Sequence, residues 1–278
     1  MAKTKKSDSL KRDTNLASAL SNGGVMSLAQ KEVKETMEEI DLDTPEDEEG
    51  DYSEDDEESY LLGLTLPKHK FIGPMKQEFH IRIKLNNAPV NIWRELVVPS
   101  NITLEMLAYV LIDAMGWQHE HLYQYRAKNG VSFLNSRELK QRSDSFLGFL
   151  SRTIYMNSEK TSLEQVLQPK GERLKFEYDF GDSWTHDLWV KGARDYAPNE
   201  EPVIKLLKAH GECPPEDCGG VWGYDELLEL NRKKRKTAED KERLEWYDIP
   251  EGFDPEDCDL EWLQDDVELL WQKIKEQM

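Results

Sequence analysis

Between residues 174 and 190 two runs alternate apolar and polar side chains, and the pair Gly181-Asp182 lies between them. Leu174, Phe176, Tyr178 and Phe180 mark the first run, and Trp184, His186, Leu188 and Val190 the second. A period of two is the signature of a strand with one buried face, so the stretch predicts a β-hairpin. Glycine first in a two-residue turn takes the positive φ that a primed hairpin turn requires, and Asp is a common second residue. With Phe180 opposite Ser183, Asp179 faces Trp184 and Glu177 faces His186. One face would then carry Glu177, Asp179 and His186 with Asp182 at the tip. A loop of three or five residues would shift the register and dissolve that cluster.

Cys213-Pro214-Pro215-Glu216-Asp217-Cys218-Gly219-Gly220 follows within the next 35 residues. Carboxylate, imidazole and thiolate at close range form a transition-metal ligand set, and the four-residue gap between the cysteines lets both reach one tetrahedral ion such as zinc. Asp182, His186, Cys213 and Cys218 are the candidate ligands. A plainer arrangement uses the same residues. Asp179 and Asp182 would bond amides of a tight turn, His186 would pair with Glu177, and the cysteines would be small buried side chains.

The strings Tyr178-Asp179-Phe180-Gly181-Asp182-Ser183-Trp184-Thr185-His186, Cys213 to Gly220 and Gly223-Tyr224 together resemble the hallmark of the plasmid pRiA4b ORF-3-like family. Ile92-Trp93-Arg94, Gly116-Trp117 with His121-Leu122-Tyr123, and Phe253-Asp254-Pro255 also fit that pattern, in order, over about residues 77 to 262. The resemblance implies a bacterial α+β domain, mostly antiparallel sheet with a few packing helices, often carried on plasmids or insertion elements. No biochemical activity is established for the family. The candidate site on this reading is Asp179, Asp182, Trp184, His186, Asp217, Tyr224 and His121.

Elsewhere the chain offers local signals. Phe79 to Leu85 alternates as a strand, and Ile92 to Val98 returns as another. Thr103 is placed to cap a helix running to Ala114, with Gly116 as its stop. His119 and His121, two apart, would point the same way in a strand. A zinc-protease His-Glu-x-x-His helix is excluded because Tyr123 stands where the second histidine would be. Thr161-Ser162-Leu163-Glu164 reads as a capping box, Pro202 to Leu207 as a strand, and Tyr224 to Leu230 as a short helix. Asp259 opens a final helix whose Leu260, Leu263, Val267, Leu270 and Ile274 repeat at three and four.

Residues 1–75 read as a disordered acidic tail before a domain at 76–278. From Glu38 to Glu58, 14 of 21 residues are Asp or Glu and none is Lys or Arg, too charged and too poor in apolar groups to offset the entropy of folding. The net charge of −20 disfavours sequence-independent nucleic-acid binding unless a local patch overrides it. Arg232-Lys233-Lys234-Arg235-Lys236 is the one such patch, and DNA contact through it is one reading. Three cysteines are too few for a disulfide scaffold and suit a reducing cytoplasm. No run is long and apolar enough to span a bilayer.

Three functions remain open on the sequence. A cytoplasmic binding or accessory module would recognise an unidentified protein or nucleic-acid partner through the loop and hairpin. A metal-dependent hydrolase would use the Asp/His/Cys set with Asp217 or Glu216 as base. A DNA-contacting accessory protein would use residues 232–236. Asp179-Phe180-Gly181 is no kinase motif, since no glycine-rich loop or His-Arg-Asp segment accompanies it.

Overall fold

The computed structural model describes residues 64–144, 153–169 and 171–278. The acidic stretch before residue 64 lies outside the described residues. Residues 64 to 75, counted with the tail in the sequence reading, pack on the domain: Leu66 is buried and Phe71 bridges Ile102.

Among the described residues eight strands form one sheet in the order β5-β4-β3-β6-β7-β1-β2-β8. They are β1 (Gln77–Leu85), β2 (Trp93–Pro99), β3 (Tyr123–Ala127), β4 (Ser132–Leu134), β5 (Tyr155–Asn157), β6 (Leu174–Tyr178), β7 (Trp184–Asp195) and β8 (Lys205–His210). Every pairing is antiparallel except β4 with β5. This is the α+β architecture the sequence predicts. β1 sits between β7 and β2, and its Phe79, Ile81, Ile83 and Leu85 are all buried, as their alternation requires.

Six α-helices are described: α1 (Leu104–Met115), α2 (Ser136–Asp144), α3 (Leu163–Val166), α4 (Gly220–Arg232), α5 (Ala238–Trp246) and α6 (Leu260–Glu276). Thr103 caps α1 by accepting from Met106 N at 3.1 Å, and Gly116 ends it at φ 94° with its N–H on the last carbonyls. A Cβ at Gly116 would meet Trp262 at 3.4 Å and Leu263 at 3.5 Å, so glycine there both stops α1 and seats α6. Asp259 caps α6, whose Leu263, Val267, Leu270 and Ile274 are buried where it lies against α1 and β8. Each such side chain contributes roughly 1.5–3 kcal/mol of burial. No described helix is long and apolar enough to cross a membrane.

Three local expectations shift. The capping box is Ser162 with Gln165, whose Oε1 accepts from Ser162 N at 2.7 Å, one residue later than Thr161 with Glu164. The strand expected at Pro202 to Leu207 runs Lys205–His210, because its partner β2 fixes the register, Trp93 facing His210. His119 and His121 precede β3 rather than lying in a strand, and a left-handed φ of 46° at His119 turns the chain there.

Candidate metal centre

The hairpin forms, but not in the expected register. Phe176 pairs with His186 and Tyr178 with Trp184, leaving Asp179 to Ser183 as a five-residue loop. A two-residue turn would have set Phe176 opposite Asp187 and Tyr178 opposite Thr185, mixing core and solvent residues on each face. The observed register buries Phe176, Tyr178, Trp184 and His186 together. The loop is held locally: Gly181 N donates to Asp179 Oδ1 at 2.8 Å and Ser183 N to Asp179 O at 2.6 Å, with φ of 55° at Asp179 and 58° at Ser183.

The shift moves Glu177 and His186 to opposite faces. Glu177 accepts from Ser183 Oγ at 2.8 Å and Gln124 Nε2 at 2.5 Å. His186 lies in the core between Phe176 and Trp117, both 5.6 Å away by ring centroid, and its Nδ1–H donates to Phe176 O at 3.3 Å. Burial lowers its pKa to about 4, so it is a neutral core residue at physiological pH. Trp184 is also core, stacked on Trp117 at 6.0 Å.

What replaces the expected cluster is built on His121. Its Nε2 lies 3.4 Å from Asp217 Oδ1 and 3.6 Å from Glu216 Oε2, and its Nδ1 lies 3.7 Å from Asp179 Oδ1. Glu120 and Glu216 with His121, and Asp179 and Asp217 with His121, each bring their ligand atoms within 4.8 Å of one another. Nε2 is buried and has no hydrogen-bond partner among the described residues.

Two contacts fix the cysteine loop against the segment that carries His121, and a third holds it to the end of β6. Trp117 Nε1 donates to Pro214 O at 2.9 Å, Gln118 N to Glu216 Oε1 at 3.0 Å, and Tyr178 Oη to the same Oε1 at 2.9 Å. Glu216's second oxygen is thereby turned to His121. Burial raises the Glu216 carboxyl above its ordinary range, while those two donors and the imidazole pull it back.

The remaining predicted residues are structural in their contacts. Asp182 Oδ2 accepts from Gly219 N at 3.1 Å and ties the hairpin loop to the start of α4. A Cβ on Gly220, at φ 68°, would come within 2.6 Å of Asp182 O, so this close approach needs glycine. Tyr224 is buried, with its hydroxyl donating to Glu212 O at 3.4 Å. Cys213 takes a contact from Arg94 Nη2 at 3.5 Å, and Cys218 Sγ–H points to Gly220 O at 3.9 Å. Burial pushes both thiols up to about 12, so with no metal ion beside them they keep their protons at neutral pH. Asp182, His186, Cys213 and Cys218 belong to neither metal-capable group among the described residues.

Arg94 is the residue whose role the sequence reading missed. It is wholly buried, and its Nε donates to Ala114 O at 2.7 Å while Nη1 donates to Trp93 O, His210 O and Gly211 O at 3.0 to 3.1 Å. It joins the end of α1 to the chain that enters the cysteine loop. The signal lay in phase: Arg94 falls on the same face as Ile92, Leu96 and Val98, all buried.

The profile of the plasmid pRiA4b ORF-3-like protein family matches residues 77–262. The chain belongs to that family. This pRiA4b ORF-3-like chain is 33% identical over 167 residues to the uncharacterized protein y4hQ of Sinorhizobium fredii, covering 60% of this chain and 78% of that one. It is also similar to the crystal structure of MM3350, a protein of unknown function from Methanosarcina mazei, with a TM-score of 0.55 and 22% identity over 68% of this chain and 98% of that one. The second likeness bears on the fold alone. His121, Asp179, Glu216 and Asp217 all fall inside the stretch that the pRiA4b ORF-3-like profile matches.

Proposed function

We propose that the protein is a cytoplasmic binding module that engages its partner through a divalent cation held by His121 with Asp179 and Asp217, Glu216 lying beside the ring. One observation carries this reading: the buried, unpartnered Nε2 faces two carboxylate oxygens at 3.4 and 3.6 Å. These separations are long for hydrogen bonds but suit two ligands of one ion, since bonds of about 2.1 Å in a tetrahedral shell set neighbouring ligands ~3.4 Å apart. Charge supports it too. Four carboxylates stand around one imidazole, an excess of negative charge that a cation would neutralise. Three cysteines, none in a disulfide, support the cytoplasmic placement.

The test is elemental analysis of protein purified without chelator and dialysed against Zn²⁺, Mn²⁺ or Mg²⁺. We expect about one equivalent of one of these ions, lost in His121→Ala. Less than about a tenth of an equivalent of every one would remove the reading.

A metal-dependent hydrolase is a second reading, favoured by the 69% exposure of the Asp217 side chain, which leaves an open side for water and a substrate. A bound ion there would supply water of lowered pKa. Glu120, in the same cluster and exposed, stands where it could take the proton.

A further inference from the structure

A cleft of about 860 Å³ opens beside the α4–α5 connection, and Lys233, Lys234, Arg235, Lys236 and Lys241 line it. Leu244 and Ile249 give it apolar ground, and the acids Glu245, Asp248 and Glu251 line it as well. Lys233 is engaged by Asp240 at 2.9 Å, and Lys236 Nζ donates to Asn231 O at 2.7 Å. Lys234, Arg235 and Lys241 have no ion pair among the described residues. Three unpaired cations along one cleft are unexpected in a chain whose net charge is −20.

The missing countercharge lies in the same sequence. Residues 38–58 hold 14 acids and no cation, so they contribute −14 of the net −20. The acids are interspersed with Ile40, Leu42 and Tyr52, side chains that an apolar cleft floor can receive. Lys273 Nζ donates to Leu64 O, which anchors the chain on α6 six residues after Glu58. Extended, a 21-residue run spans about 70 Å, more than the ~45 Å diameter of a domain this size. The cleft is therefore within reach. Tethering also raises the local concentration of the run to roughly millimolar, so a weak contact suffices.

We propose that this cleft is the docking site of the chain's own acidic run, residues 38–58, held within one molecule. A nucleic acid is the less favoured occupant, because the rest of so acidic a chain repels a polyanion.

Zero-length carbodiimide coupling of the full-length protein tests this, with cross-linked peptides taken from the monomer band. At about 50 mM salt, carboxylates of residues 38–58 should couple to Lys234, Lys236 and Lys241. The yield should fall roughly fivefold at about 500 mM salt, because exposed charges are screened. The variant Lys234→Glu with Arg235→Glu, both exposed and checked for folding by circular dichroism, should lose the links to Lys236 and Lys241 to a similar degree. Links spread over surface lysines in proportion to their exposure would overturn the proposal. Links confined to the dimer band would do so too, assigning the cleft to a second copy. A short DNA duplex that binds the full chain with an affinity unchanged when the run's acids become Gln would assign it to nucleic acid.

Discussion

Replacing Arg94 by Met is expected to destabilise the protein by about 3–5 kcal/mol, because it leaves several buried carbonyls without their donor. Arg94 is fully buried, and its long-range acceptors are the carbonyls of Ala114, His210 and Gly211. Each carbonyl left without its donor costs about 1–3 kcal/mol, partly offset because a thioether is easier to bury than a cation. For a domain of this size the loss corresponds to roughly 10 °C in Tm. Arg94→Lys separates charge from geometry. A lysine keeps the cation but not the planar fork that meets acceptors on α1 and on the 210–211 segment at once, so it should recover less than half of the loss. Urea unfolding followed by tryptophan fluorescence measures all three proteins. A Met variant within about 1 kcal/mol of the parent, or a Lys variant equal to it, would show that Arg94 does not hold the two segments together.

Two further outcomes follow from the site and the core. His186 has a folded pKa of about 4 against an ordinary 6.5, so the unfolded chain takes up its proton first as pH falls. Its contribution to stability is complete above about pH 6.5 and is lost as pH falls to about 4, amounting to about 3 kcal/mol, and His186→Phe should flatten the unfolding free energy by that much over this window. Superimposable pH profiles for the two proteins, from urea melts at pH 7 and pH 4.5, would contradict it. Asp217→Gly relieves a left-handed residue at φ 54° while deleting a carboxylate facing His121. Stability should stay level or rise by up to about 1 kcal/mol, while divalent-cation affinity by titration calorimetry falls at least about tenfold; unchanged affinity would exclude Asp217 as a ligand.

What the sequence revealed was local. α1 was readable because its stripe, its Thr103 cap and its Gly116 stop all lie within 14 residues, and α6 because Asp259 and the apolar stripe do the same. The hairpin was readable as a hairpin, but its register depends on Tyr178 and Trp184 sharing the core, a choice the Gly-Asp pair does not reveal. α5 carries one buried residue, Leu244, too little for a period to show. Tyr123, Gln124 and Tyr125 of β3 are all buried, so that strand does not alternate. The site lay furthest from view. His121, Asp179 and Glu216 meet from positions nearly a hundred residues apart, and only the motif resemblance put His121 beside the hairpin.

Backbone strain points to the same place. Among the described residues seven non-glycine residues have positive φ, and four of them, His119, Asp179, Ser183 and Asp217, border or belong to the His121 cluster. Each left-handed residue costs roughly 1 kcal/mol, less for Asp, Asn and His, which leaves Ser183 the least relieved of the four. The strain is held by specific contacts: His119 on Asp113, Ser183 Oγ on Glu177, and Asp179 Oδ1 on Gly181 N. A fold that needed only to reverse direction at these points would be served better by glycine or asparagine. The chain instead places two of the cluster's four acids, Asp179 and Asp217, in left-handed backbone, and crowds all four carboxylates around one imidazole, where their charges repel one another. Backbone strain and like-charge crowding both oppose folding, and a shared cation would relieve the second while giving the first a purpose.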